Sequence, residues 1–89
     1  MRTDPLPYEV RDIVFRAFQE LGIALFSPDA MDEAVLFSRG RYAARTYKFK
    51  GYMAMWLVRF GVVQFYDAEG NMVLTMNLLE ELEPQRMAA

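Results

Sequence analysis

The sequence predicts an α+β fold, an N-terminal amphipathic helix packed on a small three- to four-stranded, mostly antiparallel sheet. Three observations carry this. Apolar residues recur at helical spacing in the first quarter of the chain, the pattern changes to β-rich runs past Gly40, and turn-forming residues at Lys50-Gly51 and Asp67 to Gly70 fold those runs back on one another. With 89 residues the chain is expected to form a single domain, residues 1–89.

The lead-in "TDPLP", within residues 1–7, is expected to be extended, because each proline fixes its own φ and disfavours helix in the residue before it. The helix follows. Val10, Ile13, Val14, Ala17, Phe18 and Leu21 make one apolar face, charged and polar residues occupy the other, and Gly22 suits the left-handed position that ends a helix. Phe15 falls at the margin of the stripe, where it widens the packing face or meets a partner. "IALF" at 23–26 is too short to classify by period.

In "SPDAMDEA" Ser27 reads as an N-cap, Pro28 as a first helical residue, and Asp29, Asp32 and Glu33 as acids near the positive end of a short helix. "AVLF", residues 34–37, fits strand and helix equally. Alternation in "YAARTYKF" predicts a strand with Tyr42, Ala44, Thr46 and Lys48 on one face and Ala43, Arg45, Tyr47 and Phe49 on the other. "YMAMWLVRF" is apolar on both faces until Arg59, which predicts a central strand covered on each side, with a short helix over 52–60 as the rival. "GVVQFYDAEGNMVLTMNL" predicts a hairpin over about 62–78, closed by a type I turn with Gly70 in the left-handed position of a bulge. A helical turn is expected near "NLLEELE", ended by Pro84, with 84–89 as a frayed tail.

Composition narrows the function. Neither Cys nor His is present, which removes disulfides, thiol nucleophiles, the commonest general base and the commonest metal ligands. No glycine-rich phosphate loop or nucleophile elbow appears either, so no catalytic residue, cofactor, metal or small-molecule substrate is expected, and the chain is read as not an enzyme. The acid clusters Asp29/Asp32/Glu33 and Glu80/Glu81/Glu83 are accounted for by helix-end electrostatics and solubility. No apolar run is long enough for a membrane span, and the Cys-free chain shows no signal-peptide-like stretch near Met1, so a cytoplasmic location without membrane contact is expected.

Two features point to partners. Hydrophobic residues make up 54% of the chain, above the roughly 45 to 50% usual for soluble proteins, and so small a core hides them poorly. A homodimer, formed through apolar sheet or helix surface with Phe15, Met53 and Met55 as interface candidates, follows. Met72 and Met76 share a parity on the last strand and would extend the same adaptable surface. Charge is also segregated: residues 1–33 sum to −4, 34–66 to +6 and 67–89 to −4. The basic block interleaves Arg39, Arg41, Arg45, Lys48 and Lys50 with Tyr47, Tyr52 and Trp56. The first reading is therefore a non-catalytic protein-interaction module that self-associates and uses this stretch on an acidic protein surface. The second is a nucleic-acid accessory protein that uses residues 39–59, cations on phosphate and rings on bases.

Overall fold

The computed structural model describes residues 5–82. Helix α1 (Pro7–Glu20) is followed by a 3₁₀ turn (Pro28–Ala30) and five strands: β1 (Asp32–Ser38), β2 (Arg41–Phe49), β3 (Tyr52–Leu57), β4 (Val62–Tyr66) and β5 (Met72–Asn77). A second 3₁₀ turn, Val58–Phe60, links β3 to β4, and residues 78–82 form a short terminal helix. The strands make one antiparallel sheet in sequence order, β1-β2-β3-β4-β5. The fold is α+β, with five strands instead of three or four.

Proline lets α1 start earlier than the lead-in reading allowed. Pro7 is already helical, because a first helical residue needs no intrahelical N–H bond, and Leu6 caps it in an extended conformation. The Leu6 N–H donates to Glu9 Oε1 at 2.9 Å. At the other end the Ile23 N–H reaches the Phe18 carbonyl and the Gly22 N–H the Gln19 carbonyl, both at 3.0 Å, a Schellman closure that needs Gly22 at φ 89°. The helix buries Val10, Ile13, Val14, Ala17 and Phe18 against one face of the sheet. Phe18 meets Phe65 edge to face, centroids 5.6 Å apart, beside Tyr47, Ala54, Trp56 and Val63, and Leu78 and Leu82 close the end of this core.

The extra strand is β1. Helical structure stops at Ala30, so Asp32 and Glu33, read from sequence as helix-start acids, are its first two residues. Both β1–β2 and β2–β3 turn through two residues, Arg39-Gly40 and Lys50-Gly51, each with positive φ throughout. This is the backbone of a type I′ hairpin turn, whose twist matches that of the strands. The hairpin over 62–78 closes at Asp67, where the Gly70 N–H bonds the Asp67 carbonyl at 3.0 Å and Gly70 has φ 86°. The Asp67 carboxylate accepts N–H bonds from Glu69 and Asn71, which hold it below the usual carboxylate range, the Asn71 bond first. Asn77 Oδ1 caps the terminal helix by accepting from the Leu79 and Glu80 N–H groups. Pro84 and the 84–89 tail lie outside the described residues, as do residues 1–4 of the lead-in.

Two bulges revise the face assignments. The β1–β2 register shifts after Leu36, leaving Ala43 as the extra residue, so Tyr42 turns to the helix side. There its ring lies 6.3 Å from Trp56 and its hydroxyl accepts from Arg45 Nε at 2.9 Å. The β4–β5 register shifts after Phe65, leaving Val73 extra, which separates Met72 from Met76. Met76 packs against the core and Met72 is exposed. The third correction concerns β3: the helix covers one face only. Ala54 and Trp56 are buried beneath it, whereas Met53, Met55 and Leu57 are only half-buried on the opposite face.

Candidate interaction surface

The face of the sheet away from α1 follows directly from the register. Three rows of residues cross it. Asp32, Lys48, Met53, Tyr66 and Met72 form one edge row, Ala34, Thr46, Met55, Gln64 and Thr75 the middle row, and Leu36, Ala44, Leu57, Val62 and Asn77 the other edge row. Apolar side chains dominate. Asp32 and Lys48 sit together at one end of this face, Ser38 and Arg41 pair on it at the other, and Met55, on the central strand of the central row, is its midpoint. None of Met53, Met55, Leu57 and Val62 belongs to the core cluster or packs against it. No element among the described residues covers this face.

An antiparallel sheet ordinarily carries polar side chains on the face it shows to water. Here neighbouring apolar residues shield one another instead, enough that Thr46 is 4% and Ala44 6% exposed with no element above them. Flexible thioethers at Met53, Met55 and Met72 give the surface the adaptability that suits repacking against a partner. Bounding this face at one end is a cleft between the β2–β3 and β4–β5 turns, lined by Lys48, Tyr52, Met53, Tyr66 and Asp67 among others.

The other site residues read from sequence are dispersed. Arg39 and Arg41 are exposed at the β1–β2 turn, and Lys48 and Lys50 at the opposite end of β2. Seven residue steps along the strand separate Arg41 from Lys48, about 23 Å at 3.3 Å per residue. Between them Arg45 is engaged by Glu33, an ion pair across β1 and β2, and by Tyr42. Tyr47 is 0% and Trp56 2% exposed, both in the core, and Tyr52 packs against that core. Tyr47 and Trp56 are thus held between helix and sheet, whereas Lys48 and Lys50 line one cleft with Phe49, Tyr52 and Tyr66, and Arg39 and Arg41 stand apart at the other end of β2. Phe15 also packs against the core. Asp29 pairs with Arg11 at 3.4 Å, and no three carboxylates converge on one point among the described residues.

Met53 and Met55 share one face, as their alternation predicts, but the full extent of that face was not readable from it. The missing signal was β1, whose Ala34 and Leu36 complete it. Among the described residues the core also holds two unpartnered buried polar atoms, Tyr47 Oη and Trp56 Nε1, and burial raises the Tyr47 phenol above its ordinary pKa. No helix among the described residues is long and apolar enough to cross a membrane. Comparison of the chain with protein-family models, with curated proteins and with solved structures finds no match.

Proposed function

We propose that this chain is a non-catalytic protein-interaction module that associates with a second copy of itself through the open face of the sheet. The observation that carries the reading is the uncovered, Met-lined surface centred on Met55, opposite a helix that already completes the core. Two such faces stack as the halves of a sandwich, about 10 Å apart, burying Met, Leu and Val side chains against each other. Size supports a second copy as the occupant. Five strands at about 4.8 Å spacing and six residues at about 3.3 Å give a footprint near 480 Å² per copy. Two footprints come to roughly 1,000 Å², the lower bound for a biological interface and the range of weak, reversible association.

The lack of Cys and His leaves no thiol or imidazole chemistry to assign, and a Cys-free fold suits the cytoplasm. Sedimentation velocity across a wide concentration range tests the reading, with Met55→Glu as the variant. That residue is half-exposed, so the fold keeps its core while a carboxylate enters the centre of the contact. The wild type should associate, and Met55→Glu should weaken this contact at least tenfold. A wild type monomeric at every concentration overturns the proposal.

A further inference from the structure

The sheet has two edges, and they differ. β5 is interrupted by its own bulge residue, Val73, which breaks the regular outward ladder of N–H and C=O groups. β1 carries no extra residue, because the bulge of its hairpin sits on β2 at Ala43. All seven residues of β1 are exposed, including the consecutive apolar run Ala34, Val35, Leu36 and Phe37. It contains neither Pro nor Lys, and its two charges, Asp32 and Glu33, stand at its start, which leaves 34–37 without the usual protections of a free edge. Phe37 is 68% exposed.

We infer that β1 pairs with β1 of a second copy, antiparallel and two-fold symmetric about Val35, joining two sheets into one of ten strands. This deepens the self-association reading and rests on it. Opposed residues in a symmetric antiparallel pair project to the same face of the sheet, so the axis passes midway between one residue and its own copy, and Val35 is the one that overlaps all of 32–38 with itself. Ala34 then faces Leu36 of the other copy on the open side, Val35 meets Val35, and Asp32 lies opposite Ser38, one step from Arg39.

Charge supports this register. Asp32 begins the strand and Arg39 follows its last residue, so two-fold pairing brings Arg39 of each copy to one step from the Asp32 of the other, twice, where Asp32 has Lys48 of its own chain as its neighbour on β2. Neither side chain has an ion-pair or hydrogen-bond partner among the described residues. Arg39 also holds φ 53°, the first position of a two-residue turn like Lys50 at φ 49°, which fixes it just beyond the end of β1.

The test combines sedimentation velocity with amide hydrogen exchange on the full chain at low and high concentration, for the wild type, Asp32→Arg, Arg39→Asp and the two together. Aspartate tolerates positive φ, so the turn survives the exchange. Association should fall at least tenfold in each single variant at low salt and recover in the double variant, and amides of 32–38 should gain protection with wild-type concentration. Singles that associate like the wild type, or β1 amides whose exchange ignores concentration while the chain still associates, overturn the edge pairing and leave the face contact standing. A wild type that never associates overturns both.

Discussion

Tyr47 is fully buried, yet its hydroxyl meets no hydrogen-bond partner, and desolvation raises its pKa further from the physiological range. A lost water bond that nothing replaces costs free energy, so removing the oxygen is favourable even where the ring packs well. Tyr47→Phe is expected to leave stability unchanged or raise it by about 1 kcal/mol, measured by chemical denaturation. A loss of more than about 1 kcal/mol would instead place an ordered water on that oxygen. Asp67 acts in the opposite sense. Backbone N–H bonds stabilise its charged form in the folded state, so its pKa is lower folded than unfolded. The stability it contributes is present above the unfolded value, about pH 3.9, and is lost as pH falls through the lower folded value. Asp67→Asn keeps an acceptor oxygen without the titration, so its unfolding midpoint should fall less steeply than the wild type's on acidification below about pH 4. Thermal unfolding of both proteins between neutral and strongly acidic pH checks this.

At the scale of elements, the hairpin turns show where local chemistry and the native backbone disagree. Lys50 sits at φ 49° ahead of Gly51, in the first position of a type I′ turn, where Asn is the preferred residue. Its ammonium lies 5.4 Å over the Phe49 ring, an exposed contact of modest worth. Lys50→Asn should therefore stabilise the chain by about 0.5 to 1 kcal/mol, read as a higher denaturation midpoint. A lower midpoint would mean that the cation over Phe49 outweighs the backbone preference. The same turn shows which elements were legible in sequence. Gly51 with Lys50, and Gly70 with Asp67, announced two of the hairpins, and the 3.6 spacing from Val10 announced α1, because each signal lies within a few residues. β1 was hidden for the converse reason. Asp32 and Glu33 resemble helix-start acids, and Ala34 to Phe37 is apolar without a period, since an exposed edge strand needs no alternation to bury one side. The bulges at Ala43 and Val73 were invisible as well, and each shifts side chains beyond it to the other face, which moved Tyr42 toward Trp56 and parted Met72 from Met76. The candidate surface was thus only half readable: Met53 and Met55 could be placed beside each other, but whether anything covered them depended on where the single helix packed.

At the scale of the molecule, the two proposed contacts combine without conflict. A symmetric antiparallel β1 pair has its axis perpendicular to the sheet, so both helices stay on one side and both Met-lined faces on the other. The face contact has its axis in the plane between stacked sheets, at right angles to the first. Where the in-plane axis runs across the strands over Met55 and meets the β1 axis at the level of Val35, the two perpendicular axes generate a closed assembly of four chains with D2 symmetry. Edge pairing doubles the width of the apolar face, so each contact strengthens the other by presenting two contacts at once. At high concentration the wild type is expected to sediment as a tetramer. Met55→Glu should leave an edge-paired dimer that retains concentration-dependent protection in β1, and Asp32→Arg should leave a face-paired dimer without it. The two substitutions together should give a monomer with an unfolding transition still cooperative, because neither residue belongs to the core beneath α1. Two single variants that both stop at the monomer would mean that neither contact survives alone, and a single variant that remains tetrameric would remove its contact from the assembly.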